Sequence, residues 1–145
     1  MALCFALLAP AAAAQDFSAL DRPGAVALMR HAQATEGTDG DDFSLRDCAT
    51  QRRLDAAGRD QARRIGAAMQ EAGLEIDRVW SSPYCRCLAT AEFMGVGPVE
   101  EMAALTSYEG LRAPEKTQAV IDRIAALPDD ETVLVVTHQV NLAAL

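Results

Sequence analysis

The amino-acid sequence predicts an α/β fold, a three-layer α/β/α sandwich with a mostly parallel central sheet. Three observations predict it. Short apolar runs alternate with longer segments of helical periodicity, the pattern of parallel strands joined by crossover helices. Half of the 145 residues are apolar, enough for one sizeable core in a single domain. No internal repeat interrupts the alternation.

The elements follow in order. Arg22-Pro23-Gly24 is a turn signal, and the run GAVALMR over 24–30 after it predicts a buried strand. Residues 31–47 are polar and rich in Gly, Asp and Thr, and a loop of that length in a compact domain is more often functional than idle. Asp55 has the character of a helix N-cap. Beyond it Ala62, Ile65, Met69 and Ala72 recur at helical spacing, Arg59, Asp60, Arg63, Arg64 and Gln70 take the other face, and Gly73 closes the helix. IDRVWS (76–81) predicts a second strand. Ser82 as N-cap and Pro83 as first helical residue predict a helix from Tyr84 to about Met94. Gly95 to Ala113 is irregular. Pro114 starts a helix whose apolar stripe is Val120, Ile121, Ile124 and Leu127. Pro128-Asp129-Asp130 turns the chain into the β-branched run TVLVVT (132–137), a buried strand. A last helix is expected near His138. With the sequence ending at Leu145, the expectation is a chain truncated at its C-terminus, short of that helix's end and a further strand.

The first fourteen residues, MALCFALLAPAAAA, carry no charge. The run from Leu3 to Leu8 followed by Ala12-Ala13-Ala14 predicts a secretory signal peptide over 1–14, although no Lys or Arg precedes it. Such a run is too short to span a bilayer. The expectation is a periplasmic or secreted domain over 15–145 with no stable membrane insertion after the leader is removed. Three cysteines would then remain, Cys48, Cys85 and Cys87, and an exported chain can keep a disulfide. Cys85 and Cys87 are too close on a helix to pair comfortably, so each competes for Cys48. Neither the spacing nor the two histidines suit a zinc site. The net charge of −8 argues against nucleic acid or an anionic membrane surface as partner. An anionic ligand would have to be drawn by a few placed cations. Nothing in the sequence specifies an oligomeric state.

Both histidines of the chain, His31 and His138, directly follow apolar strands. Ligands of open α/β sheets bind outside the carboxyl ends of strands, so parallel neighbours would bring both imidazoles to one edge. Arg30 ends the first strand, where a buried guanidinium needs a partner and a phosphate matches it with paired hydrogen bonds. Arg86 sits in the first turn of its helix, where the dipole disfavours a cation unless an anion binds there too.

These pieces resemble the histidine phosphatase superfamily, the phosphoglycerate mutase-like branch that includes small bacterial phosphatases. The matching segments are LMRHA (28–32), LDAAGRDQA (54–62), SSPYCRCLATAE (81–92) and VLVVTHQ (133–139), in order across roughly 24–142. The resemblance is nearest to exported bacterial members and implies a Cys48–Cys85 disulfide. It implies a metal-independent phosphatase, needing no cofactor, that acts on a small phosphorylated substrate. His31 would be the nucleophile, forming a phosphohistidine, with Arg30, Arg86 and His138 completing the catalytic phosphate pocket. Arg30, Arg86 and Gln139 would bind substrate. The leaving-group acid would be Glu109 by sequence distance, with Glu100 and Glu101 as competitors. Departures are Ala32 where glycine is usual, Gln33-Ala34 where Glu-Thr is usual, and Gln139 where glycine is common. They bear on substrate preference, and a mutase activity is disfavoured. Two rival readings remain at this stage. One is a non-catalytic phosphate-binding module that kept the pocket but lost turnover. The other is a zinc hydrolase using His31, His138 and aspartates of 39–42.

Overall fold

The computed structural model describes residues 16–107 and 113–145. The expected signal peptide and Glu109 therefore lie outside the described residues. Four strands are present among them: β1 (Val26–Arg30), β2 (Arg78–Ser81), β3 (Val99–Glu101) and β4 (Val133–Thr137). They form one sheet in the order β1-β4-β2-β3, and every neighbouring pair is parallel. Each crossover carries a helix, as parallel pairing requires: α1 (Ala56–Glu71) precedes β2, α2 (Cys85–Met94) precedes β3, and α3 (Pro114–Ala125) precedes β4. A short α4 (Gln139–Leu142) follows β4.

Side-chain alternation along β4 builds the two halves of the core. Leu134 and Val136 pack with Val79, Ala62, Met69, Ala91 and Met94, which puts α1 and α2 on one face. Val133 and Val135 pack with Trp80, Leu105 and Val120 on the other, against α3. The predicted α/β/α sandwich is the architecture observed. The Asp55 carboxylate caps α1 as expected, accepting from the Gly58 amide at 2.7 Å. Gly66 lets α1 approach α2, since a Cβ there would collide with the Met94 backbone.

Four local expectations need correction. β1 is an edge strand rather than a buried one: it pairs only with β4 among the described strands, and Leu28 is 39% exposed. The second helix starts at Cys85, with Tyr84 rather than Ser82 at its N-cap. The Ser82 amide instead extends the sheet ladder to the Val136 carbonyl at 3.0 Å, which keeps Ser82 and Pro83 out of helical conformation. The stretch read as irregular contains β3, an outer strand whose Val-Glu-Glu composition carries no apolar signal. On α3, Val120 is buried but Ile121 is 41% exposed, so the apolar stripe is narrower than its sequence pattern.

Candidate active site

β1 and β4 lie in parallel register with Arg30 opposite Thr137. The next residue on each strand is a histidine, so the register alone puts both imidazoles at the carboxyl edge of the sheet. The His31 amide continues the ladder to the Thr137 carbonyl at 2.9 Å. The ring centroids are 5.4 Å apart, with planes at 70°. Both residues are buried. One tetrahedral anion can therefore touch both.

Hydrogen bonding sets the state of His31. Its Nδ1 lies 2.8 Å from the Ala32 carbonyl oxygen, which only accepts, so Nδ1 carries the proton. Arg86 Nε, which only donates, approaches Nε2 at 3.2 Å, so Nε2 presents its lone pair. Burial holds the imidazole pKa down at about 4, against an upward pull from the Ala32 carbonyl, and the charges of Arg86, Arg30 and Arg52 each add a lesser downward push. Burial, more than the neighbouring cations, is what keeps the ring neutral. Burial together with Arg86, His31 and Arg30 likewise takes His138 down to about 3. His138 Nε2 lies 2.9 Å from the Ser82 hydroxyl and 3.5 Å from the Cys87 sulfur. The hydroxyl that sequence reading assigned to helix capping serves this ring, and accepts only a longer bond, at 3.4 Å, from the Tyr84 amide.

Arg86 is the second residue of α2, as expected, and buried. Its Nη1 binds the Asp39 carboxylate at 3.0 and 3.3 Å, with both side chains less than a tenth exposed. This carboxylate relieves the conflict between a cation and the positive end of the helix. Breaking such a buried pair costs about 3–5 kcal/mol. Asp39 is in turn fixed by the Arg52 amide, which donates to it at 2.8 Å. Thr90, one helical turn beyond Arg86, accepts from the Ala32 amide at 3.0 Å and donates to the Arg86 carbonyl at 2.7 Å, joining α2 to the loop behind His31. Ala32 needs no glycine, because no non-glycine residue among those described has positive φ. The strap from Cys48 to Gln51 is tied to the same end of α2 twice. Cys48 and Cys85 form a disulfide with Cα atoms 5.7 Å apart, and Gln51 Oε1 accepts from the Cys85 amide at 2.9 Å. Cys87 is a buried free thiol, its pKa pushed up to about 12 by burial.

Three sequence expectations are not gathered into this cluster. Arg30 is exposed at the end of its edge strand and makes no ion pair among the described residues; its charge still acts on both imidazoles. Gln139 is exposed at the start of α4, with no side-chain hydrogen bond to the pocket. Glu100 pairs with Arg123 and Glu101 is exposed, so neither takes part. Asp39 faces Arg86 rather than the imidazoles, and no group of three potential metal ligands occurs among the described residues. Sequence reading missed Thr90 and Tyr84 as parts of the site, and counted Asp39 only among the ligands of the zinc reading. Thr90 was findable, since four residues after Arg86 is the same helix face. Tyr84, whose ring meets His138 edge-on at 4.7 Å and lies under the Arg86 guanidinium at 4.5 Å, stood in plain sight beside Arg86. Asp39 lay in a loop with no periodicity to point at it.

Two neutral imidazoles and a buried guanidinium thus meet at the carboxyl edge of a parallel sheet, where ligands of open α/β sheets bind. The sequence profile of the histidine phosphatase superfamily, branch 1, matches residues 26–115, and the chain belongs to that superfamily. A search of curated proteins finds no match. Among solved structures, the fold is similar to a protein described as the phosphohistidine phosphatase SixA of Nakamurella multipartitia, at 26% identity and TM-score 0.61 over 82% of this chain. It also resembles the corresponding SixA protein of Agrobacterium tumefaciens (21% identity, TM-score 0.62) and the protein histidine phosphatase SixA complexed with tungstate (24%, 0.56), each over 82% of this chain. The chain spans 62% of the Nakamurella protein's length and 71% and 72% of the other two.

Proposed function

We propose that this protein is a phosphatase that hydrolyses phosphomonoesters, or a phosphorylated protein side chain, through a phosphohistidine on His31. The observation that carries the reading is the pairing of Arg86 Nε with His31 Nε2 at 3.2 Å beside a second imidazole 5.4 Å away. A neutral nucleophile with its lone pair held next to a cation is poised for in-line attack on phosphorus.

In the first step the Nε2–P bond forms as the bond from phosphorus to the leaving oxygen breaks. Arg86, His138 and the charge of Arg30 stabilise the equatorial oxygens, where negative charge gathers. Arg86 must share its guanidinium between Asp39 and the substrate. A carboxyl group, for which sequence position favours Glu109, gives its proton to the leaving oxygen. In the second step water attacks phosphorus, the N–P bond breaks, and the same carboxylate takes the proton from water. His31 and the acid are thereby restored, and phosphate leaves. The arginines supply the charge that a metal would otherwise provide. We further read residues 1–14 as a removed leader and the protein as periplasmic or secreted, a setting in which the Cys48–Cys85 disulfide persists.

The test is hydrolysis of p-nitrophenyl phosphate with a quench that preserves the N–P bond. The wild type should turn over and carry label on His31. His31→Ala should lose several orders of magnitude in kcat, carry no label and keep its circular dichroism spectrum. Unchanged turnover in that variant would overturn the reading. Tungstate binding by a wild type without turnover would favour the non-catalytic alternative.

A further inference from the structure

Tyr84 belongs to two places at once. Its ring meets His138 and Arg86 on the pocket side. It also stacks on Phe43, with centroids 5.1 Å apart and planes at 27°. The two rings border a cavity of about 780 Å³ between the 43–45 loop, the 103–106 segment and α3. Leu45, Ala103, Ala104 and Ala119 give the remaining walls an apolar character, with Glu115 and Lys116 also lining it. A small-molecule site of this kind is a cavity of about 300–1,000 Å³ with mostly apolar walls and a few polar groups to orient the ligand.

We propose that this cleft receives the leaving group, and that the preferred substrates are phosphomonoesters of apolar, aromatic-bearing alcohols. The proposal rests on the phosphatase reading for its chemistry, though the cleft can be tested without turnover. Its basis is the shared ring: Tyr84 touches His138 and Arg86 and also lines the cleft, so an ester bound by its phosphoryl group beside the imidazoles would extend its organic part towards Phe43. An aromatic group there would stack on the half-buried Phe43 ring and replace water over apolar surface. A polyol would bring its hydroxyl groups to walls that are mostly alanine, leucine and aromatic rings, with Thr106, Glu115 and Lys116 as the side chains that can receive them. Ala103, Ala104 and Ala119 are the specificity determinants by their small size, because larger side chains would fill the space.

The experiment compares the full chain's affinity for benzylphosphonate and methylphosphonate by calorimetry, and its kcat/KM for benzyl phosphate and glycerol 1-phosphate. The two alcohols are of similar acidity, so the ratio reports the cleft rather than the leaving ability. The expected result is at least about a tenfold preference for the benzyl compound in both measurements, the scale of burying part of a phenyl ring. Phe43→Ala should remove that preference and leave methylphosphonate binding unchanged. Ala119→Gln, at an exposed helix position where folding is not at risk, should also narrow the preference. Equal affinity for the two phosphonates in the wild type, or equal loss for both in the variants, would overturn the proposal. Absence of hydrolysis with a retained benzylphosphonate preference would sink the phosphatase reading and leave the cleft standing.

Discussion

The two histidine-bearing strand ends use the same sequence device and are held by opposite means. His138 ends β4, the interior strand, whose five residues are all buried. Its surroundings are fixed by packing and buried hydrogen bonds. Asn141 donates to the Leu105 carbonyl at 2.7 Å and to the Thr137 hydroxyl at 2.8 Å, and Thr137 donates to the same carbonyl at 3.1 Å. His31 ends β1, an edge strand with exposed positions along it. Its surroundings are fixed by links across the chain: the Thr90 bond to Ala32, the Asp39–Arg86 ion pair and the Cys48–Cys85 disulfide. The comparison teaches that an edge strand can still present a firmly held imidazole if its following loop is tied to a buried helix. It also separates the roles. Nε2 of His31 accepts from the Arg86 guanidinium, whereas Nε2 of His138 is paired with the Ser82 hydroxyl.

The sharpest break in the comparison is expected from His138→Ala. Loss of one group stabilising the transition state should lower kcat by about 10²–10³-fold, while label still accumulates on His31. Loss of turnover by several orders of magnitude, with no label on His31, would show that the two imidazoles have exchanged roles. Next in size is Cys48→Ser. Opening a cross-link between residues 37 apart should cost about 3–4 kcal/mol of stability on the loop-entropy scale. Urea unfolding with and without reductant measures it. The loss should be accompanied by a raised KM, because Asp39 and Gln51 lie on the released strap; an unchanged KM would mean that the strap does not position Arg86.

The last comparison concerns pH, and it sets the two rings side by side. Both are neutral in the folded state down to about 4 for His31 and about 3 for His138. In the unfolded chain each titrates near 6.5. Above 6.5 neither ring binds a proton in either state, so they add no pH dependence. Below 6.5 the unfolded chain takes up protons that the folded protein refuses, and stability falls as pH drops towards 4 and then 3. Denaturant midpoints across pH 7.5 to 3.5 test this, and His138→Ala should flatten the slope. In kcat/KM the loss of activity on the acid side through protonation of His31 should centre near 4 rather than 6.5. A midpoint near 6.5 would mean that burial does not hold the nucleophile neutral.

Much of the frame was legible in the sequence because it depends on local chemistry. TVLVVT reads as a buried strand from its composition, Asp55 as a cap from its place before a periodic helix, and Pro114 as a helix start from its fixed φ. β3 was not legible, since Val-Glu-Glu at a sheet edge has no alternation to detect. Nor was the edge position of β1, because GAVALMR has the same apolar run that an interior strand would have. In the site, the two histidines and Arg86 were readable from their places at strand and helix ends. Ser82 was misread because its hydroxyl had two uses, and only the neighbouring strand decides between them.

The sequence by itself determined the layer architecture, the family and the residues brought to the carboxyl edge, since periodicity and element ends encode these locally. Tertiary structure alone decided which carboxylate neutralises Arg86, which ring nitrogen of His31 presents its lone pair, and that Tyr84 both touches His138 and lines a cleft. Each of these depends on a donor, a charge or a ring contributed by a distant part of the chain, and hydrogen bonding and burial act on distance in space, which the order of residues does not contain.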